Sequence, residues 1–127
     1  MPNITYGKVV SDSNIHIVLQ RLANLTNKDI HVHSGDRPPN HYVKGSKSSS
    51  LHIAKRAADF HIKGMSDLEG FDFMRMNMNK IFDQTEAYEV IQHRPGGSTQ
   101  GPHLHIGRYG MGKDGYRRGY VDFKRMD

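Results

Sequence analysis

The chain of 127 residues contains no cysteine. It can therefore form neither a disulfide framework nor a thiolate metal site, and any metal must be held by nitrogen and oxygen ligands. The sequence also lacks any run of about 20 apolar residues, which excludes a membrane-spanning helix. What it does contain is nine histidines. These absences direct attention to histidine chemistry.

A recognisable secretory signal is also missing. The first residues, MPNITYGKVVSDSNIHI, have no charged region followed by a long apolar run and a small-residue cleavage site. The formal net charge is +5, and the basic residues are spread along the chain. This charge predicts attraction to anionic polymers, either nucleic acid or bacterial cell wall. The length predicts a single domain over residues 1–127 with one compact site.

The spacing of apolar residues predicts an α+β fold, with a small central antiparallel sheet and two flanking helices. A first helix is predicted from Ile15, Val18, Leu19, Leu22 and Leu25, after the capping candidates Ser11, Asp12 and Ser13. A second helix is predicted over residues 67–84. Strands are predicted in DIHVHSG, RAADFHI, AYEVIQH, HLHIG and YVDF. Long loops are expected over residues 35–50 and 94–102.

Two of the predicted strands bring polar groups to one side. In RAADFHI, alternation places Asp59 and His61 on the same face, and in HLHIG it does the same for His103 and His105. Imidazole and carboxylate are suitable ligands for zinc, which takes three protein ligands in most catalytic sites. If the strands are neighbours, His52, Asp59 and one of the two HLH histidines form such a set.

Three short motifs resemble those of a peptidase superfamily. SLHIAKRAADF is similar to the Ser-x-His-x-x-Gly-x-Ala-x-Asp signature of zinc D-alanyl-D-alanine peptidases, although Lys55 stands at the glycine position. HLH resembles the His-x-His element of the wider superfamily, which includes lysostaphin-type peptidases and the hedgehog signalling domain. HSGDRPP resembles the Ser-Gly-x-Arg segment of the D-Ala-D-Ala peptidases. The motifs follow the order of the family, and a hedgehog/D-Ala-D-Ala peptidase-like fold is implied.

The resemblance assigns roles to individual residues. It implies that His52, Asp59 and His105 bind zinc and that His103 is the catalytic partner. The choice between His105 and His103 as the third ligand stays open, because many D-Ala-D-Ala peptidases have a glutamate before that histidine or an aspartate after it.

Substrate binding is assigned by the same resemblance to Arg37 and Ser50. An arginine suits a substrate carboxylate because its planar guanidinium can donate two parallel hydrogen bonds. His61 is a candidate for orienting a metal ligand through a hydrogen bond. His31, His33 and His93 are either solvated surface residues or contributors to the cleft.

The implied function is a zinc-dependent peptidase that hydrolyses peptidoglycan stem peptides. Removal of a terminal D-Ala would make it a carboxypeptidase, and cleavage of a cross-link would make it an endopeptidase. Without a signal peptide, we expect another route to the periplasm or cell wall, as for a phage lysin or an antibacterial toxin. An immunity or delivery protein is a candidate partner. Neither a membrane nor a specific nucleic acid is an expected partner.

Two alternatives belong to other functional classes. One is a non-catalytic zinc-binding module for cell wall or protein, with a fourth ligand supplied by His61 or His33. The other is a metal-dependent nuclease, which the positive charge favours. The sequence has no clear nuclease motif, however, and its aromatic residues are not interleaved with basic residues in a stacking pattern.

Overall fold

A computed structural model describes residues 2–37, 51–52, 54–94, 101–109 and 119–126. The strands are β1 Ile4–Tyr6, β2 Ile30–Ser34, β3 Ala57–Ile62, β4 Ala87–His93, β5 His103–Tyr109 and β6 Val121–Met126. The helices are α1 Ser13–Thr26, α2 Asp67–Met76 and α3 Met78–Ile81. The predicted α+β class is confirmed. None of the helices in these described ranges is long and apolar enough to cross a membrane.

The sheet is mixed rather than antiparallel. Its strand order is β1-β2-β3-β5-β4-β6. The central pairs are antiparallel, but β1 pairs with β2 and β6 pairs with β4 in parallel. The predicted antiparallel sheet is therefore wrong at both edges. Alternation indicates that a segment is a strand but not the direction of its neighbour, and the three residues of β1 are too few to show alternation.

The helices begin at side-chain caps. The carboxylate of Asp12 accepts the N–H of Ile15 at the start of α1, and Ser66 and Glu69 form a capping box at the start of α2. The single helix predicted over residues 67–84 is in fact two helices. They are separated at Asn77, whose side-chain amide donates to the Phe73 carbonyl at 2.9 Å. The backbone N–H of Asn77 donates to the same carbonyl, and Asn77 has a non-helical φ of −118° and ψ of 23° where α2 ends and α3 begins.

Alternation divides the central strands between two faces. On the apolar face, strand side chains pack with those of the helices in one buried cluster; it includes Val18, Leu22, Phe60, Ile62, Met74, Val90, Leu104 and Ile106. The opposite face, called the histidine face below, carries Asp59, His61, Glu89, His93, His103 and His105. The predicted facial pattern of RAADFHI and HLHIG is confirmed, because Phe60 and Leu104 lie in the cluster while their neighbours do not.

Candidate metal centre

The register of β3 and β5 brings two of the predicted ligands together. Asp59 pairs directly with His105 across these antiparallel strands. Residues that face each other in such a pair have Cβ atoms about 5 Å apart, so their side chains meet. The Nδ1 atom of His105 lies 2.8 Å from Oδ1 of Asp59. The sequence-based condition that the two strands be neighbours is therefore met.

His52 reaches the same carboxylate from the turn that precedes β3. Its Nε2 atom lies 3.0 Å from Oδ1 of Asp59. After it, Lys55 has a φ of 61°, the left-handed conformation that glycine adopts most readily. Lys55, at the position where the similar peptidase signature has glycine, therefore adopts a backbone conformation that favours glycine.

The segment after β2 holds the His52 ring. The Nδ1–H of His52 donates to the Gly35 carbonyl at 2.7 Å, and the N–H of Arg37 donates to the His52 carbonyl at 3.1 Å. A Cβ atom on Gly35 would lie 2.1 Å from the Val9 carbonyl oxygen. Only glycine fits this close approach, so the Gly35 carbonyl is fixed where it orients His52.

His105 is also held at both ring nitrogens. While Nδ1 faces Asp59, Nε2 lies 2.7 Å from Oε2 of Glu89 on β4. Glu89 could not be found from the sequence, because one glutamate on a strand resembles any polar surface residue. Only the register, in which Glu89 pairs with Gly107, places it beside His105.

Together, His52, Asp59 and His105 can hold a metal ion. One ligand atom from each lies within 4.8 Å of the others, the only such group within the described ranges. All three residues are buried, with 3%, 2% and 6% of their surface exposed. Two imidazoles and a carboxylate suit zinc, and both histidines give their second nitrogen to an acceptor, as metal-bound histidines commonly do. The residues therefore fit a metal, and its identity as zinc stays a prediction.

Asp59 and His105 shift each other's pKa values. Burial raises the pKa of Asp59, but hydrogen bonds from His105 and His52 outweigh burial and hold that pKa well below its usual value. Burial lowers the pKa of His105, yet Asp59 and Glu89 outweigh it and raise that pKa to about 9. In the metal-free protein, His105 is therefore a cation between two carboxylates. A metal bound at Nδ1 would replace that proton.

His103 lies beside the group. Its Nδ1–H donates to the Gly101 carbonyl at 2.8 Å, and its Nε2 lies 3.5 Å from Oδ2 of Asp59. Burial lowers the pKa of His103. Its ring is therefore neutral near pH 7, with an unprotonated Nε2 directed at Asp59.

Arg37 has an unsatisfied donor near the metal group. Within the part of the chain that the structure describes, its Nη1 atom is buried without a hydrogen-bond partner. Burial lowers the pKa of Arg37, while the charge of Asp59 raises it. A buried donor without a partner costs free energy, which a ligand could repay. Ser50 lies outside the described residues, so its predicted role is untested.

Other histidine rings continue from the group along the histidine face. The centroid of the His33 ring lies 5.0 Å from that of His61 and 5.5 Å from that of His103, and His93 lies 4.4 Å from His103. The His61 side chain is 47% exposed, and its Nδ1 lies 3.0 Å from Oδ1 of Asp67. Neither His61 nor His33 belongs to the metal group found among the described residues. The orienting role predicted for His61 stays a prediction.

Comparisons of the chain with protein-family models, with curated proteins and with solved structures gave no match. The resemblance to D-Ala-D-Ala peptidases therefore stays a prediction based on short motifs. The function has to be argued from the geometry of the site itself.

Proposed function

We propose that the protein is a zinc metallopeptidase that hydrolyses peptidoglycan stem peptides. The observation that carries the proposal is the buried group of His52, Asp59 and His105 with the unsatisfied Arg37 donor near it. When bound there, zinc would supply a Lewis acid and a water molecule whose pKa is lowered to about 7. A hydrolytic centre next to a hydrogen-bond donor that can bind an anion suits peptide substrates that carry a carboxylate.

Two residues of the chain have distinct roles in this mechanism. Arg37 binds a substrate carboxylate, which satisfies its buried Nη1 and fixes the peptide relative to the metal group. His103 is neutral near pH 7, and its unprotonated Nε2 lies 3.5 Å from Oδ2 of Asp59 beside the metal group; we assign it the role of proton acceptor. It takes a proton from the attacking water and gives it to the leaving amine.

The same proposal includes a substrate, a location and a fold relationship. A terminal D-Ala carboxylate at Arg37 makes the protein a carboxypeptidase, and a side-chain carboxylate of a cross-linked peptide makes it an endopeptidase. The net charge of +5 favours the anionic cell wall. The proposed site of action is the periplasm or cell wall, which the protein would reach as a phage lysin or an antibacterial toxin. The proposed partner is an immunity or delivery protein. The proposed fold relationship is to the hedgehog domain and the D-Ala-D-Ala peptidases.

Digestion of purified peptidoglycan tests this function. Zinc-loaded wild type, His103→Ala and His105→Ala are compared by mass spectrometry of the released muropeptides. His31→Ala is the matched control, because its exposed ring bonds to Thr5 away from the metal group. We expect wild type and the control to release terminal alanine or to cut cross-linked dimers, and the other two variants to do neither. Intact muropeptides with wild type that contains one zinc ion per chain would contradict the proposal.

A second candidate function is a zinc-binding interaction module. It would need His103 as a fourth ligand that closes the site; Nε2 of His103 lies 3.5 Å from Oδ2 of Asp59, but His103 is not part of the group whose ligand atoms all lie within 4.8 Å of one another. In that case, His103→Ala would weaken zinc binding, and wild type would bind peptidoglycan without cutting it. In the peptidase, His103→Ala keeps its zinc and loses only hydrolysis.

A further inference from the structure

Glu89 is the one carboxylate of the histidine face, among the described residues, that contacts the metal group without belonging to it. We propose that Glu89 is a positioning residue that fixes His105 so that Nδ1, and not Nε2, is its metal-binding atom. The inference rests on the metal site of the proposed function but not on peptidase activity.

The contacts of the His105 ring bear on which of its two nitrogens binds the metal. Oε2 of Glu89 lies 2.7 Å from Nε2, and Oδ1 of Asp59 lies 2.8 Å from Nδ1. Oδ1 of Asp59 also faces His52, whereas Glu89 has no place in the metal group of the described residues. The metal therefore binds on the Nδ1 side. Nε2–H then donates to Glu89, which fixes both the tautomer and the ring orientation.

The surroundings of Glu89 hold its carboxylate in that position. The Tyr109 hydroxyl donates to Oε1 at 3.0 Å, which leaves Oε2 for His105. A Cβ atom on Gly107 would lie 3.0 Å from Oε2 and 2.6 Å from Cδ1 of Leu51. The absence of a side chain at Gly107 thus leaves the space through which Glu89 reaches His105.

The His52 ring is also oriented by a hydrogen bond from one nitrogen, but here the bond is made by Nδ1–H and not by Nε2–H. Its Nδ1–H donates to the Gly35 carbonyl, so Nε2 is the atom that faces Asp59. One histidine is therefore oriented by a neutral carbonyl and the other by a carboxylate. A charged acceptor makes a stronger hydrogen bond and a more basic ligand, so removal of Glu89 should weaken the metal site.

The test measures zinc affinity by competition with a chromophoric chelator at a temperature where circular dichroism shows each variant folded. We expect Glu89→Ala to bind zinc about 10 to 100 times more weakly than wild type. Glu89→Gln should lose less, because its amide oxygen still accepts Nε2–H. Gln92→Ala is the matched control: Gln92 is a buried polar residue of the same strand, but it pairs with Leu104 and bonds to Arg125. Its zinc affinity should equal that of wild type.

A second readout needs no variant. In zinc-loaded wild type, long-range ¹H–¹⁵N spectra should show His105 protonated at Nε2 and metal-bound at Nδ1. Metal at Nε2, or wild-type zinc affinity in Glu89→Ala, would overturn the inference. Wild type that binds no zinc would overturn the metal site and the proposed function with it. Weak zinc binding by Glu89→Ala supports the inference even when peptidoglycan stays intact, in which case only the peptidase proposal fails.

Discussion

The apolar face and the histidine face are built from alternate residues of the same strands, and around the metal group they differ in chemistry rather than in burial. Leu104 is 0% exposed and packs in the main core, while its neighbours His103 and His105 are 3% and 6% exposed on the other side. Burial of Leu104 stabilises the fold. Burial of the histidines costs free energy unless each polar atom has a partner. The apolar face therefore stabilises the fold, whereas the histidine face forms a site whose burial costs free energy.

The largest expected effect is loss of the metal through Asp59→Ala. Oδ1 of Asp59 contacts both His52 and His105, at 3.0 and 2.8 Å, so its removal takes away a ligand and the group that holds the other two together. We expect zinc content to fall from one ion per chain to near none, measured by elemental analysis after gel filtration. Hydrolysis of peptidoglycan should disappear with it.

Asp67→Ala is the control for that variant. Asp67 also contacts a histidine, at 3.0 Å from Nδ1 of His61, but it lies outside the metal group. Its zinc content should remain that of wild type. Equal zinc content in Asp59→Ala and Asp67→Ala would mean that the histidine face binds metal elsewhere or not at all.

The reciprocal change is Leu104→Ala on the apolar face. The substitution leaves a cavity in a fully buried cluster, so the free energy of unfolding should fall by about 2–5 kcal/mol. Urea denaturation measures this loss. At temperatures where the variant is folded, its zinc affinity should stay within a few fold of wild type. A large loss of affinity in the folded variant would show that the two faces are not separable.

Arg37→Ala separates substrate binding from metal binding. We expect unchanged zinc content but a roughly 10- to 100-fold lower kcat/KM on stem peptides, the size of a lost hydrogen bond to a charged group. Peptides with a free and an amidated C-terminus separate the two peptidase types. If Arg37 binds the terminal carboxylate, wild type and variant should cleave the amidated peptide equally. An unchanged kcat/KM on every peptide would exclude Arg37 from substrate binding.

The stability of the metal-free protein should depend on pH. The folded pKa of His105, about 9, lies above its ordinary 6.5, so the folded state holds more protons between these values and stability falls as pH rises from 6.5 to 9. Burial lowers the pKa of His93 to about 4, so stability falls as pH drops from 6.5 to 4. The free energy of unfolding should therefore peak near pH 6.5.

Urea titrations in the presence of a chelator measure this curve. Zinc should remove the alkaline decline, because it replaces the Nδ1 proton of His105. Leu104→Ala should lower the whole curve without changing its shape, because the apolar cluster does not titrate. Stability that rises between pH 6.5 and 9 in the metal-free protein would contradict the arrangement of His105 between two carboxylates.

Much of the site could be predicted because alternation in a strand is a local property. The patterns in RAADFHI and HLHIG were enough to place Asp59 and His105 on faces that meet if their strands are neighbours. Glu89 and the Gly35 carbonyl could not be found in this way. Their roles depend on strand register and on a close backbone approach, which involve residues distant in sequence.

The same limit applies to the fold. The α+β class, α1 and the central strands followed from periodicity, but the parallel pairings of β1 and β6 did not, because a strand pattern carries no information about its neighbour's direction. The division between α2 and α3 at Asn77 was hidden by the apolar stripe that runs through both helices. The division lies where the backbone of Asn77 leaves helical geometry, with a φ of −118° and a ψ of 23°.

Anomalous diffraction at the zinc edge, from crystals of the zinc-loaded protein, tests directly whether the buried group of His52, Asp59 and His105 binds the metal. We expect a single strong peak in contact with Nε2 of His52, the Asp59 carboxylate and Nδ1 of His105. A peak among His33, His61 and His93, or none in crystals that contain zinc-bound protein, would contradict it.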